Sequence, residues 1–320
     1  MDRKRRHGHR QAPVTRPAPR AVGLAALAAV AAVAGGCASG PRHAAGVIVA
    51  IGAENQYANV ITQIGGKYVA ASAIMSNPNV DPHTFEVSPK IAQAVSGAQL
   101  VVQNGLGYDA FMNRLEAAAP NPRRKVITVQ HLLDLPNSTA NPHLWYRPST
   151  MPAVARAIAH DLASLLPAHR AFFSANLARF DASLEPWRRA LANVRARFAH
   201  APVAVTEPVA DDLLQAAGVD VRTPWAFQAD LMNGVDPSAQ DVTLLRDLLT
   251  QRRVRAFLYN VQVTDTLTES LAATARAEHI PLVAVYETMP TPGYTYQSWM
   301  LAETKALQRA LARGISTTRL

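Results

Sequence analysis

Between residues 167 and 198, Phe173, Leu177, Phe180, Leu184, Trp187, Leu191, Val194 and Phe198 recur at intervals of four and three. That spacing places them on one face of a helix about eight turns long. A seam of this length suits a coiled-coil partner, or a helix that connects two domains. Pro186 lies within it and should kink it, because proline removes a backbone hydrogen bond and clashes with the preceding turn.

On both sides of the seam, short apolar runs alternate with helical patterns. Ahead of it, strands are expected at 47–51, 68–74, 99–103 and 126–129. Gly52-Ala53-Glu54 is expected to turn the first strand into a helix carrying Tyr57, Val60, Ile61 and Ile64, which Gly65-Gly66 ends. Ser88 with Pro89 marks the start of another helix, since a proline at the first helical position loses nothing. Behind the seam, strands are expected at 202–206, 219–222, 256–259 and 282–286, and the closing helix at 296–312. Residues 223–240 read as irregular. Strand–helix alternation argues for parallel α/β sheets.

The formal charge of +9 invites a nucleic-acid reading. Residues 1–36, however, hold seven of the 32 Lys and Arg and one of the 23 acids, and the remainder is only +3. No later basic run is interleaved with aromatics, so no nucleic-acid partner is expected. The N-terminus instead reads as an export signal. Arg3, Lys4, Arg5 and Arg6 precede an Ala/Val/Leu run at 21–34 that is too short to span a bilayer. Gly35, Gly36 and Cys37, the one cysteine, follow. A lone cysteine excludes a disulfide framework and a thiolate cluster.

Two prolines each precede a histidine, in Asp81-Pro82-His83 and Asn141-Pro142-His143. Glu207 and Glu287 each sit just past a buried strand, and ligands of open α/β sheets bind beyond the carboxyl ends of strands. Two imidazoles facing two carboxylates would make an N₂O₂ site for a divalent transition metal. The bland alternative for each Glu is a first-turn carboxylate favoured by a helix dipole. His131, His160, His169, His200 and His279 read as solvated, and Trp145, Trp225 and Trp299 as core or cleft lining. Glu86 and Asn104 could orient a ligand ring or simply cap local structure.

Several motifs resemble those of the zinc/manganese-type solute-binding proteins of bacterial ABC transporters. They are Asp81-Pro82-His83-Thr84-Phe85-Glu86 with Ser88-Pro89, the run Val101 to Gly107, Asn141-Pro142-His143-Leu144-Trp145, Thr206-Glu207, Tyr286-Glu287, and Tyr294-Thr295-Tyr296 with Trp299-Met300. The resemblance covers about residues 46–312. It implies two α/β lobes with parallel sheets, joined by one long helix, and a metal cleft between them. The lobes would be 47–166 and 200–320, with the linking helix at 167–199. It implies His83, His143, Glu207 and Glu287 as ligands, with Glu287 standing where Asp is usual. Gly36-Cys37 resembles a lipoprotein cleavage site, which makes 1–36 the signal peptide, Cys37 the lipidated residue and 37–46 a tether.

The function implied is capture of Mn²⁺ or Zn²⁺, with Fe²⁺ a further candidate, by an exported, lipid-anchored monomer that passes it to an ABC permease. Bidentate carboxylates would suit Mn²⁺ or Fe²⁺, and monodentate ones a tetrahedral Zn²⁺. Ligating histidines must be unprotonated, so affinity is expected to fall below about pH 6. The competing readings are a mononuclear metallohydrolase and an adhesin-like surface protein with a decayed site. A hydrolase needs an open coordination position and a nearby base. Neither a His-Glu-x-x-His motif nor a nucleophile elbow is present.

Overall fold

The computed structural model describes residues 46–77, 86–290 and 292–320. The first half runs β1 (Ile48–Glu54), α1 (Asn55–Gly65), β2 (Val69–Met75), α2 (Pro89–Gly97), β3 (Leu100–Gln103), α3 (Phe111–Ala118), β4 (Lys125–Thr128), α4 (Val129–Leu132) and α5 (Thr150–Leu165). Its four strands form a parallel sheet in the order β2-β1-β3-β4. Such an order needs a crossover between successive parallel strands, and the helices supply it.

Contrary to expectation, β1 does not turn at Gly52 but continues to Glu54. Gly52 is buried, and a Cβ there would collide with the backbone nitrogen of Ala58. The missing side chain therefore lets α1 fold back closely over the strand that precedes it. The expected end of α1 is observed: Gly66 adopts φ 52°, a left-handed conformation natural to glycine. Ser88 caps α2, its hydroxyl accepting from Ile91 N–H, with Pro89 at the first position.

The seam becomes two helices, α6 (Arg170–Ser183) and α7 (Glu185–Phe198). The break falls at Leu184, two residues before Pro186. Pro186 thus occupies the first turn of α7, where its absent N–H leaves no carbonyl unanswered. The apolar face survives the break: all its members are buried except Leu177, which is partly so. Trp187, at its centre, donates from Nε1 to Thr304 Oγ1 over 3.0 Å.

The second half runs β5 (Pro202–Val205), α8 (Asp211–Ala216), β6 (Asp220–Val221), α9 (Trp225–Met232), α10 (Ala239–Thr250), β7 (Phe257–Asn260), α11 (Thr266–Ala277), β8 (Leu282–Val285) and α12 (Tyr296–Arg313). Its parallel sheet has the order β6-β5-β7-β8. The stretch read as irregular contains α9. Its inner residues Phe227, Leu231 and Met232 are buried, so packing against α10 and the sheet stabilises a helix that local sequence does not announce. Trp225, expected in the core or cleft, is 43% exposed.

One apolar cluster joins both halves, taking in Tyr57, Trp145, Phe180, Trp187, Val205, Val285 and Trp299. Buried polar bonds cross between them as well. Tyr146 Oη donates to Tyr286 O over 2.7 Å, and Tyr296 Oη to Trp145 O over 2.7 Å. Asn55 exchanges two bonds with the Met289 backbone, at 2.8 and 3.0 Å. Among the described residues no helix is long and apolar enough to cross a membrane.

Candidate metal centre

Glu207 follows β5, Asn260 ends β7 and Glu287 lies two residues beyond β8. These are neighbouring parallel strands, so their carboxyl ends bring the three side chains together. Asn260 Nδ2 donates to Glu207 Oε2 over 2.8 Å and to Glu287 Oε1 over 2.6 Å. Both carboxylates are buried, at 3% and 0% exposure. Neither carboxylate makes a helix-capping hydrogen bond. Glu207 precedes the short turn at Pro208–Ala210 without capping it through its side chain.

His143 comes from the other lobe and is fully buried. Its Nε2 lies 3.4 Å from Glu287 Oε2. Its Nδ1 lies 2.8 Å from Asn141 Oδ1, which also accepts from the His143 backbone N–H at 3.1 Å. Asn141 is oriented in turn by its Nδ2, which donates to Pro208 O over 2.9 Å. An amide oxygen only accepts, so Nδ1 carries the hydrogen in the neutral ring. Nε2 then directs a lone pair at a carboxylate oxygen, and among the described residues it makes no aligned hydrogen bond. Such a contact is satisfied by a cation shared between the two atoms, or by a proton on Nε2 that makes it an ion pair.

Asn104 does not touch the ring. It takes Tyr57 Oη on Oδ1 at 2.7 Å and donates Nδ2 to Pro142 O at 2.8 Å, fixing the backbone that carries His143. Sequence reasoning missed Asn141 as the residue that orients the ring, although it adjoins the Pro-His pair. It also missed Tyr108, whose hydroxyl donates to Glu287 Oε2 over 2.8 Å, and Gln262, whose Oε1 accepts from the backbone N–H groups of Glu287 and Thr288 at 2.6 and 2.8 Å.

Glu54, read only as a turn residue, ends β1 and is buried close to Asp109. Burial, and then the Asp109 charge, push its carboxyl well above the ordinary range. Burial raises Asp109 as well, against the pull of the Asn104 and Gly105 N–H groups that it accepts at 2.5 and 2.9 Å. Tyr108 is driven up by burial first and by Glu287 next, so its phenol remains a donor.

Glu86 is exposed, and His83 and Cys37 lie outside the described residues. Among the described residues, no three His, Cys, Asp or Glu side chains form a ready-made cage. What the structure brings together is His143 with Glu287, and Glu287 with Glu207 through Asn260. Of the histidines read as solvated, His131, His160, His200 and His279 are exposed. His169 is partly buried and stacks on Tyr68, with ring centroids 3.8 Å apart.

Two parallel α/β sheets, with two carboxylates past strand ends of one half and an imidazole from a loop of the other beside them, form the arrangement of a metal-binding solute-binding protein of the ABC-transporter type. The chain belongs to the family described as zinc-uptake complex component A, periplasmic, whose model matches residues 52–310. It is a family of extracytoplasmic transport components, not of enzymes. The manganese-binding lipoprotein MntA of Bacillus subtilis is 24% identical over 229 residues, 66% of this chain and 70% of MntA. The same fold occurs in the periplasmic zinc-binding protein TroA of Treponema pallidum, at 17% identity and a TM-score of 0.68, covering 84% of this chain and all of TroA. It also occurs in the solute-binding protein FpvC of Pseudomonas aeruginosa, solved with Mn²⁺, at 21% identity and a TM-score of 0.65, covering 83% and 98% of the two chains.

Proposed function

We propose that the chain captures one divalent transition-metal ion, Zn²⁺ or Mn²⁺, on His143, Glu207, Glu287 and His83, and presents it to an ABC permease. The observation that carries this reading is the His143 lone pair held 3.4 Å from Glu287 Oε2 in a fully buried site. Two carboxylates neutralise the ion's charge, and Asn141 supplies the outer hydrogen bond that ligating imidazoles ordinarily have. Names among the relatives support both candidate metals, since MntA is called manganese-binding and TroA zinc-binding.

In this reading residues 1–36 are a signal peptide, Cys37 carries the lipid and 37–46 is the tether. Residues 47–166 and 200–320 are the lobes, with 167–199 between them. The mature chain works as a monomer on the outer face of the cell membrane or in the periplasm and has no catalytic activity. The lipoprotein name of MntA supports the anchor.

Metal analysis of the purified protein after dialysis against Zn²⁺ or Mn²⁺ tests the reading. One ion per chain, lost in His143→Ala, is the expected result. A protein that binds no ion, or that turns over phosphate or ester substrates with metal bound, would refute it.

A further inference from the structure

Away from the cleft, positive charge is strongly segregated. Residues 186–206, 251–264 and 304–320 hold eleven Lys and Arg and no Asp or Glu, although residues 37–320 as a whole are only +3. The fold joins the three stretches at the foot of the second sheet. There the Arg255 backbone N–H donates to Pro202 O over 2.8 Å, and its guanidinium to Leu311 O over 2.6 Å.

α7 and α12 lie side by side, tied by Trp187 to Thr304 and by Gln308 Nε2, which donates to Asn193 Oδ1 over 2.9 Å. Between them runs a groove of about 310 Å³ lined by Arg197, Lys305, Gln308, Arg309, Ala312 and Arg313. Arg255 adds a fifth cation: its guanidinium and that of Arg197 lie 5.7 and 5.1 Å from the centre of one ring, Phe198. Among the described residues none of these five cations pairs with a carboxylate.

Helix dipoles favour Arg197 and Arg313, which lie in the last turns of α7 and α12. They do not account for Lys305, midway along α12, or for Arg255, in the loop before β7. Clustered like charges repel one another, so the cluster asks for an anionic counterpart. Lys305, Arg309 and Arg313 repeat every four residues and form a row about 12 Å long on one side of α12. Such a row suits several phosphates in a plane better than one free ion.

The attachment of the chain points to that plane. β1 begins at Ile48, paired with Val69, and the adjacent Tyr68 stacks on His169 at the foot of α6. From there α6 and α7 run about 40 Å towards the groove. Leu184 between them keeps helical dihedrals, φ −79° and ψ −14°. A tether of residues 37–46 reaches at most about 36 Å, so a lipid on Cys37 would hold the near end of this spine at the bilayer.

We propose that the α7–α12 groove is a second membrane contact, which binds the phosphates of anionic phospholipids and lays the chain along the bilayer. The proposal goes beyond the metal-binding reading and takes from it only the lipid on Cys37.

The test is arginine footprinting. The full chain is reconstituted into vesicles of phosphatidylcholine, alone or with phosphatidylglycerol, and treated with phenylglyoxal, and each arginine is read by mass spectrometry. On the anionic vesicles Arg197, Arg309 and Arg313 should react at least about fivefold more slowly, the factor by which such a surface holds one cation. At about 0.5 M salt the difference should vanish. Arg114 and Arg246, exposed on α3 and α10, should react alike on both. With Lys305→Gln, Arg309→Gln and Arg313→Gln combined, Arg197 should lose its protection while metal uptake stays at the wild-type level. Should that variant not fold, the wild-type comparison decides alone. Equal reaction of the groove arginines on both vesicles, equal slowing of Arg114 and Arg246, or the same slowing by inorganic phosphate on neutral vesicles would overturn the proposal. A Cys37 peptide without lipid would defeat the anchor reading, and vesicles added to the chain would then decide the role of the groove in the same way. A wild type that takes up no metal would refute the metal-binding reading and leave this comparison untouched.

Discussion

His143 Nε2 and Glu287 Oε2 face each other at 3.4 Å across the two lobes, both on fully buried side chains. Burial strengthens their mutual repulsion when the ring is neutral and their attraction to any ion between them. Glu287→Gln keeps the shape and removes the charge. Its Zn²⁺ affinity should fall by more than about 100-fold, since even outer-shell partners are worth about 10–100-fold. Its metal-free melting temperature should stay level or rise, because a buried charge has gone. Chelator-competition titration and metal-free thermal melts check the two halves of this expectation.

Asn141 holds the imidazole at 2.8 Å from the ring nitrogen opposite the site. Asn141→Ala frees the ring to rotate and to change tautomer. Metal affinity should fall about 10–100-fold, whereas Asn141→Asp, which keeps an acceptor oxygen, should recover much of it. Equal losses in both variants would show that the contact does not orient the ring.

Glu303, on α12, is buried with Trp299 Nε1 donating to its Oε1 over 2.7 Å. Burial is the main cause that raises its carboxyl to about 8, and bonds from Tyr146 and Trp299 only partly offset it. The folded state thus keeps a proton that the unfolded chain releases near its ordinary value of 4.5. Folding binds more protons between those values, so stability falls as pH rises from about 4.5 to about 8. Glu303→Gln removes that slope while preserving the acceptor. Urea unfolding at pH 5 and pH 8.5 should show the variant gaining on the wild type at the higher pH. An unchanged difference between the two pH values would mean that Glu303 is not held protonated.

Gly52 sits where a side chain would strike the Ala58 backbone. Backbone cannot yield as a flexible side chain does, so Gly52→Ala should cost about 2–3 kcal/mol. The urea midpoint should drop with an unchanged slope. A variant as stable as the wild type would contradict the close strand–helix contact.

Much of the fold was legible in the sequence because two signals coincided there. Periodicity marked the helices, and short apolar runs marked the buried parallel strands. The helix α9 was not legible, since its buried Phe227, Leu231 and Met232 share the element with an exposed Trp225 and follow Pro224 without a clear period. Of the four expected ligands, Glu207 and Glu287 could be picked out by their places just past buried strands, and the structure does bring them together through Asn260. His143 stood out through its proline. His83 lies outside the described residues. The amides were a different matter. Asn260 bonds to side chains 53 and 27 residues away, and Asn141 to a carbonyl 67 residues away. An asparagine becomes part of a site only through what stands opposite it, and no local pattern encodes that.

The most direct test is X-ray diffraction from crystals of the protein soaked in Zn²⁺, with data collected on both sides of the zinc absorption edge. One strong anomalous peak about 2.1 Å from His143 Nε2, in contact with oxygens of Glu207 and Glu287, is the expected result. A peak elsewhere on the molecule, or none between the lobes, would contradict the assignment of this cleft as the metal site.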